Sequence, residues 1–270
     1  IFNPLSQDLN AMRQSLVFDG LEAISRNTNF QNPDLKLFEL GNVYWKKAKE
    51  HAKNPLDQYN EGFHLALWIT GDSEKESWTS KPRATSFFTL KSDVEKILRK
   101  LGFNLEKLNV VEVKNNILED GIAYQRGDGK TLVELGFASA KICKQLDIDA
   151  PVFYADFDWD LLIKLSAQNK ISYNELPKFP AVRRDLALLV DEEVSFNQLK
   201  AIASKTERTL LRQVDIFDVY KGDKLPAGKK SYALSFILRD DEKTMNDRVI
   251  DKTMERLIAA FTREVGAQLR

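Results

Sequence analysis

"IFDVYKGDKLPAGKKSYALSFILR", residues 216–239, decides how the second half of this chain folds. Two runs of alternating apolar residues flank a basic turn containing Gly and Pro, the pattern of two strands joined by a long loop. Successive side chains of a strand point to opposite sides. On the second run Tyr232, Leu234, Phe236 and Leu238 therefore share one face, while Ser231, Ala233, Ser235, Ile237 and Arg239 share the other. The first is a core face. The second is small and polar, with Asp218 and Tyr220 on the neighbouring run.

Working outward, "RDLALLV" (184–190) reads as a strand with Leu186, Leu188 and Val190 inward and Asp185, Ala187 and Leu189 outward. Ser195 and Gln198 form a capping box at the start of a helix, "SFNQLKAIASKTE" (195–207). Strands are expected at 213–220 and 230–239. A second capping box, Thr244 and Asp247, opens a helix whose stripe is Ile250, Met254, Leu257, Ile258, Phe261 and Val265. "GAQLR" (266–270) returns as a short strand. The order βαββαβ is ferredoxin-like, with both helices on one face of four strands and the other face free.

The first half reads as α+β with a mainly antiparallel sheet. "LVFDGLEAISRN" has helical spacing at Leu16, Leu21 and Ile24. "LKLFELGNVYW" and "FHLALWITG" are strand-like. "TLKSDVEKILRKLG" carries Val94, Ile97, Leu98 and Leu101 on one stripe and stops at Gly102. "GIAYQRGDGKTLVELGF" is a hairpin whose Asp128-Gly129 suits a two-residue loop. A short helix, "SAKICKQL", and a strand, "VFYADFDWDLL", follow. The joint is "SAQNKISYNELPKFPAVRRD", polar and punctuated by Pro177 and Pro180. It separates a module at 1–170 from a domain at 178–270, with 171–177 as linker.

The 270 residues are 43% apolar and 30% charged, with 40 Lys plus Arg against 40 Asp plus Glu. That is ordinary for a chain with a real core. The second domain holds 18 basic and 15 acidic side chains, well short of the footprint of a non-specific nucleic-acid binder. A lone cysteine, Cys143, permits no intrachain disulfide and suits a reducing compartment. It lies in a short amphipathic helix and reads as a buried, inert thiol. No run is long and apolar enough to span a membrane, and no signal peptide is evident. A chain opening at Ile1 is expected to be the C-terminal fragment of something longer.

Catalytic parts are scarce. The two histidines, His51 and His64, have no Cys or His at ligand spacing. "RGDGKT" (126–131) mimics the end of a phosphate loop but has Tyr124 where glycine is required, and "AGKKS" (227–231) fails likewise at Asp223. No GxGxxG or GxSxG occurs. Asp191-Glu192-Glu193 and Asp240-Asp241-Glu242 read as solvated turns. Asp156, Asp158 and Asp160 alternate along a strand, where a solvent face on an edge strand is favoured over a metal-binding row.

Asn3-Pro4-Leu5-Ser6, Arg13-Gln14-Ser15-Leu16 and Phe38-Glu39-Leu40-Gly41 resemble the Asn-Pro-Leu-Ser, Arg-x-Ser-Leu and Phe-Glu-x-Gly pattern of the bacterial phenylalanine–tRNA ligase β-subunit family. The likeness continues at "FFTLKSDVEKILRKLG", "FPAVRRDLALLVDEEVSF", "IFDVYKGDKLPAGKKSYALSF" and "GAQLR", and so spans essentially the whole chain. One departure is "LEDGIAYQRG" (118–127), which stands where family members often carry His-Pro-Gly-Arg. The resemblance implies a degenerate class II synthetase-like sheet in the first half, without an active site, and a ferredoxin-fold anticodon-binding domain in the second. It implies a cytoplasmic (αβ)2 heterotetramer whose α subunit is catalytic and whose ATP and Mg2+ are held outside this chain, with tRNA(Phe) as partner. Independently, a class II site needs a Gly-rich strand ending in Arg, and none is present.

Single-stranded loops are read by splaying bases onto flat side chains and bonding their edges. By strand parity Asp185, Ala187, Asp218, Tyr220, Ser231 and Ala233 share the free face. Small Ala and Ser let a base approach, Tyr220 offers a ring, and Asp218 can accept from a base amino or imino group. Arg183, Lys229, Lys230 and Arg239 are expected at the rim near phosphates. In the first half Trp45, Trp68 and Trp78 are candidate interface anchors or core residues. Two other readings remain at this level. One is a small-molecule regulatory module, which would favour a Gly-rich turn where "DEEVSFNQ" stands. The other is a self-sufficient enzyme built on the aspartates of 156–160.

Overall fold

A computed structural model describes residues 11–47, 55–169, 175–222 and 225–270. Asn3 to Ser6, His51, Asp223 and most of the expected linker lie outside the described residues. The chain divides into two compact units, Ile1–Ser172 and Tyr173–Arg270.

The first unit runs α1 (Val17–Asn29), β1 (Leu35–Lys46), β2 (Tyr59–Thr70), β3 (Asp72–Glu74), β4 (Arg83–Ala84), α2 (Phe87–Lys100), β5 (Asn109–Val113), β6 (Leu118–Gln125), β7 (Thr131–Ala138), α3 (Ala140–Gln145), β8 (Val152–Asp158) and α4 (Trp159–Ser166). Six strands form one sheet in the order β1-β2-β8-β7-β6-β5, every pair antiparallel. α2 starts where Ser86 and Thr89 cap each other. Its buried Leu90, Val94 and Leu98 join Leu162 of α4 against Leu65, Ile69, Phe153 and Phe157 on one face of the sheet. On the other face α1 buries Val17, Leu21 and Ile24 against Trp68 and Tyr154.

Two expectations change here, and one left open is decided. β8 is a central strand between β2 and β7 rather than an edge, and it stops at Asp158, the cap of α4, so Asp160 stands in the helix and not on the strand. The β6–β7 loop has three residues, because the Arg126 N–H reaches the Lys130 carbonyl (2.9 Å) and Gly129 closes the turn with φ +81°. Trp68 is buried and donates its indole N–H to the Val17 carbonyl at 3.2 Å, so it is a core residue. Trp45 and Trp78 are exposed. Cys143 is buried among Ala138, Ile148 and Val152, and burial raises its thiol pKa.

The second unit runs β9 (Val182–Asp191), α5 (Phe196–Thr206), β10 (Leu211–Tyr220), β11 (Lys229–Leu238), α6 (Asp247–Val265) and β12 (Gln268–Leu269), with sheet order β10-β11-β9-β12. The Ser195–Gln198 capping box is present. The cap of α6 is Asn246, whose side chain accepts from Val249 N–H, so the helix begins later than the Thr244 reading placed it. Both helices cover one face: Leu199, Ile202, Ile250, Leu257 and Phe261 pack on Leu188, Val190, Val214, Leu234, Phe236 and Leu238.

Candidate nucleic-acid interface

The register across the second sheet puts Asp218 opposite Ala233 and Ala233 opposite Ala187. Tyr220 stands opposite Ser231, and Asp215 and Asp185 flank Ser235. All point away from the helices, because Leu186, Leu188, Val190, Tyr232, Leu234 and Phe236 alternate with them into the core. The structure thus brings together Asp185, Ala187, Asp218, Tyr220 and Ser231 on one surface.

A β-bulge interrupts β10 between Ile216, paired with Leu234, and Asp218, paired with Ala233. Strict alternation would put Ile216 and Asp218 on the same side. The inserted residue lets Ile216 stay against the core while Asp218 faces out. Phe217, next after Ile216, thus faces out together with Asp218: it is 55% exposed, and the Arg183 guanidinium carbon lies 5.4 Å from its ring centroid. Phe217 escaped the parity reading. The signal for it was the adjacent apolar pair Ile216-Phe217, which breaks an otherwise alternating strand.

The face has a roof. Arg270 follows β12, its N–H bonded to the Ala187 carbonyl at 3.0 Å, and its guanidinium carbon lies 5.1 Å from the Tyr220 centroid. β12 and β10 are opposite edges, three strand spacings or about 14 Å apart. The two side chains therefore meet above the middle strands. Ser231 and Ser235 are each only 5% exposed on this side of the sheet. Nothing in a two-residue closing strand announces such a reach, and sequence reasoning missed Arg270.

The expected rim does not form as a single row. Arg183 is held by Asp185 (2.8 and 3.2 Å). Lys229 is paired with Asp191 at 2.6 Å, and Arg239 with Asp241 at 2.8 Å. Lys229 and Arg239 lie at opposite ends of the ten-residue β11, about 30 Å apart. Lys230 is not on this face. It pairs with Val190, is 7% exposed, and sets its ammonium 4.8 Å from the Tyr232 ring on the core side. One residue of parity separates it from Lys229.

The first sheet has a row of its own: Glu39, Ala66, Asp156, Glu134 and Ala123 are successive neighbours across five strands. Arg13 donates to Glu39 (2.5 Å) and Asp19 (2.7 Å). His64 Nδ1 lies 2.6 Å from Asp156 Oδ1, and the Tyr154 hydroxyl donates to Asp156 Oδ2 at 3.1 Å. Burial, with the charge of Asp156, raises the Glu134 pKa. Burial pulls His64 down, but Asp156, reinforced by Asp158 and Asp160, outweighs it and leaves the imidazole pKa raised. The three aspartates do not converge on one point: Asp156 holds His64, Asp158 accepts from Leu161 N–H, and Asp160 accepts from Phe63 N–H.

A helix-backed four-stranded sheet with an open face carrying rings, carboxylates and arginines defines a small binding domain of ferredoxin type. The family model for the ferredoxin-fold anticodon binding domain matches residues 177–270, and that for the phenylalanyl tRNA synthetase beta chain CLM domain matches 1–159. Curated relatives are the phenylalanine–tRNA ligase beta subunits of Bacteroides fragilis and Bacteroides thetaiotaomicron, each 45% identical over all of this chain and 33% of their own length. That of Syntrophotalea carbinolica is 33% identical over the same shares. A pyrrolysyl-tRNA synthetase structure from Desulfitobacterium hafniense superposes on 58% of this chain and 50% of its own, at 16% identity and a TM-score of 0.42, a likeness too slight to bear on the fold. The chain belongs to the phenylalanyl-tRNA synthetase beta chain family, and it spans about a third of the length of the curated relatives it matches.

Proposed function

We propose that this chain is part of the β subunit of a cytoplasmic phenylalanine–tRNA ligase and binds the anticodon loop of tRNA(Phe) on the open face of its second sheet. The observation that carries this reading is the face itself. Its floor is Ala187, Ala233 and Ser231, and it carries two rings, Phe217 and Tyr220, three residues apart on β10. Single-stranded bases stack on such rings at about 1–3 kcal/mol each. Asp218 and Asp185 supply acceptors for base edges, and Arg183, Lys229 and Arg239 supply cations. Lys230 takes no part, because it lies on the core side.

The first unit is proposed to support a catalytic α subunit within an (αβ)2 assembly that charges tRNA with phenylalanine. ATP and Mg2+ act elsewhere in that assembly. The carboxylate row of the first sheet repels a triphosphate, and Arg13, the cation beside it, is already committed to Asp19 and Glu39. The regulatory-module reading lacks support in the turn between β9 and α5, which is acidic rather than Gly-rich.

The test is an amide-shift titration of the 270-residue chain with a tRNA(Phe) anticodon stem-loop, run beside a loop with its three anticodon bases changed. Shifts centred on Ala187, Asp218, Tyr220 and Ser231 and weakened by the base changes are expected. Shifts confined to Lys229 and Arg239 and indifferent to loop sequence would leave only electrostatic docking.

A further inference from the structure

The open face is already filled by a residue of its own chain. Arg270 lies over Tyr220 with its guanidinium carbon 5.1 Å from the ring centroid. Gly222 lies close to the hydroxyl end of that ring, where a side-chain carbon would stand 2.7 Å from the Tyr220 hydroxyl and 2.9 Å from its Cζ. A base that stacks on the ring face under Arg270 meets that guanidinium directly. Arg183, Lys229 and Arg239 are each tied to an aspartate. Arg270 forms no ion pair with a described residue, and what fixes it is the backbone bond of its N–H to Ala187. Its backbone is anchored, and among the described residues its side chain is restrained by the ring, a weak contact at an exposed site.

We propose that Arg270 is a movable clamp: a single-stranded base enters between the Tyr220 ring and the Arg270 guanidinium and is held on both sides. This rests on the anticodon-binding reading and adds to it a positioning residue and a two-sided site. A guanidinium stacks on a base as it does on an aromatic ring, being planar and weakly hydrated. The same contact in the free protein keeps the arginine extended across the sheet, so little side-chain freedom is lost when the base arrives. The Phe217–Arg183 pair makes an internal contrast, because Asp185 holds that arginine from two atoms.

The experiment measures affinity of the 270-residue chain for the anticodon stem-loop and for three loops each lacking one anticodon base, using wild type, Arg270→Ala, Arg270→Lys and Tyr220→Ala. The clamp predicts that Arg270→Ala weakens the intact loop about tenfold. It predicts that Arg270→Lys recovers part of that loss, and that for one abasic loop neither Arg270→Ala nor Tyr220→Ala costs anything further. Melting temperatures of all four proteins are expected to agree, which separates the effect from misfolding. Unchanged or tighter binding by Arg270→Ala would overturn the proposal, the latter showing a plug that competes with the base. An equal loss on all three abasic loops, with a salt slope reduced by about one, would also overturn it, since that is a phosphate contact. Wild type that ignores the loop bases would instead sink the anticodon reading itself, a result distinct from base-dependent binding that Arg270→Ala leaves untouched.

Discussion

Each of the two units lays small residues down the middle of an antiparallel sheet and leaves part of one face without a helix, yet the two faces are opposite in character. Across the first sheet Ala66 and Ala123 alternate with Glu39, Asp156 and Glu134. Across the second, Ala187, Ala233 and Ser231 lie beneath Phe217, Tyr220, Arg183 and Arg270. The small residues serve differently: Ala66 and Ala123 are fully buried within the first unit, while Ala187 and Ala233 lie partly exposed beneath the second face. The groups set around them decide what may enter. Burial, with the charge of Asp156, raises the pKa of Glu134, and the aspartates beside His64 hold it protonated to higher pH; such a face rejects a polyanion. Rings with arginines over them accept bases and tolerate phosphates.

The comparison breaks most visibly at Tyr220. Tyr220→Ala is expected to cost about 1–3 kcal/mol of RNA binding, roughly ten- to a hundredfold in affinity, as read by fluorescence anisotropy with the stem-loop. Glu134→Ala on the other sheet should leave that affinity unchanged. If Glu134→Ala altered it comparably, the two faces would not be independent in function and the contrast between them would fail.

A second prediction concerns the first face alone. Because the folded pKa of His64 lies above its ordinary value of 6.5, the folded state binds this proton more tightly than the unfolded chain. The resulting stability is fully present below about pH 6.5 and is lost as pH rises through the raised value. Glu134, raised from 4.5, acts with the same sign at lower pH. The melting temperature of the first unit should therefore fall on going from pH 6 to pH 8. Residues 173–270 contain no histidine, so the second unit should not share that window. Asp156→Asn removes the charge that faces His64, costs about 1–3 kcal/mol at pH 6, and flattens the dependence. A slope that survives Asp156→Asn would point to another titrating group.

The sequence made much of this legible where a rule is local and repeated. Alternation from Leu186 to Val190 and from Tyr232 to Leu238 set the core side of both middle strands, and the Ser195–Gln198 pair set a helix start. What escaped was non-local or turned on one residue. Asp156 and Asp160 looked like an edge because their partners, His64 and Phe63 on β2, lie more than 90 positions earlier, while Asp158 caps α4 locally. Lys229 and Lys230 read as one basic turn, yet the first residue of β11 faces out and the second is buried against Tyr232. Phe217 and Asp218 both face out because a bulge shifts the phase by one between Ile216 and Asp218, and Arg270 is placed by a pairing to Ala187 some 80 positions earlier in the chain.

The smallest effect is expected at Lys229, and it tests whether the second face reads bases or merely attracts phosphate. Lys229 already has Asp191 at 2.6 Å, so much of its charge is neutralised before RNA arrives. Lys229→Ala should weaken binding only about twofold, as exposed ion-paired charges do. The loss should be equal for the anticodon loop and its base-changed counterpart, because a phosphate contact carries no sequence information. Asp191→Ala frees the same ammonium and should strengthen both by a similar factor. A loss at Lys229 larger than that at Tyr220, or one that depended on loop sequence, would move base recognition from the middle of the sheet to its end. The open face would then differ from its acidic counterpart in charge alone.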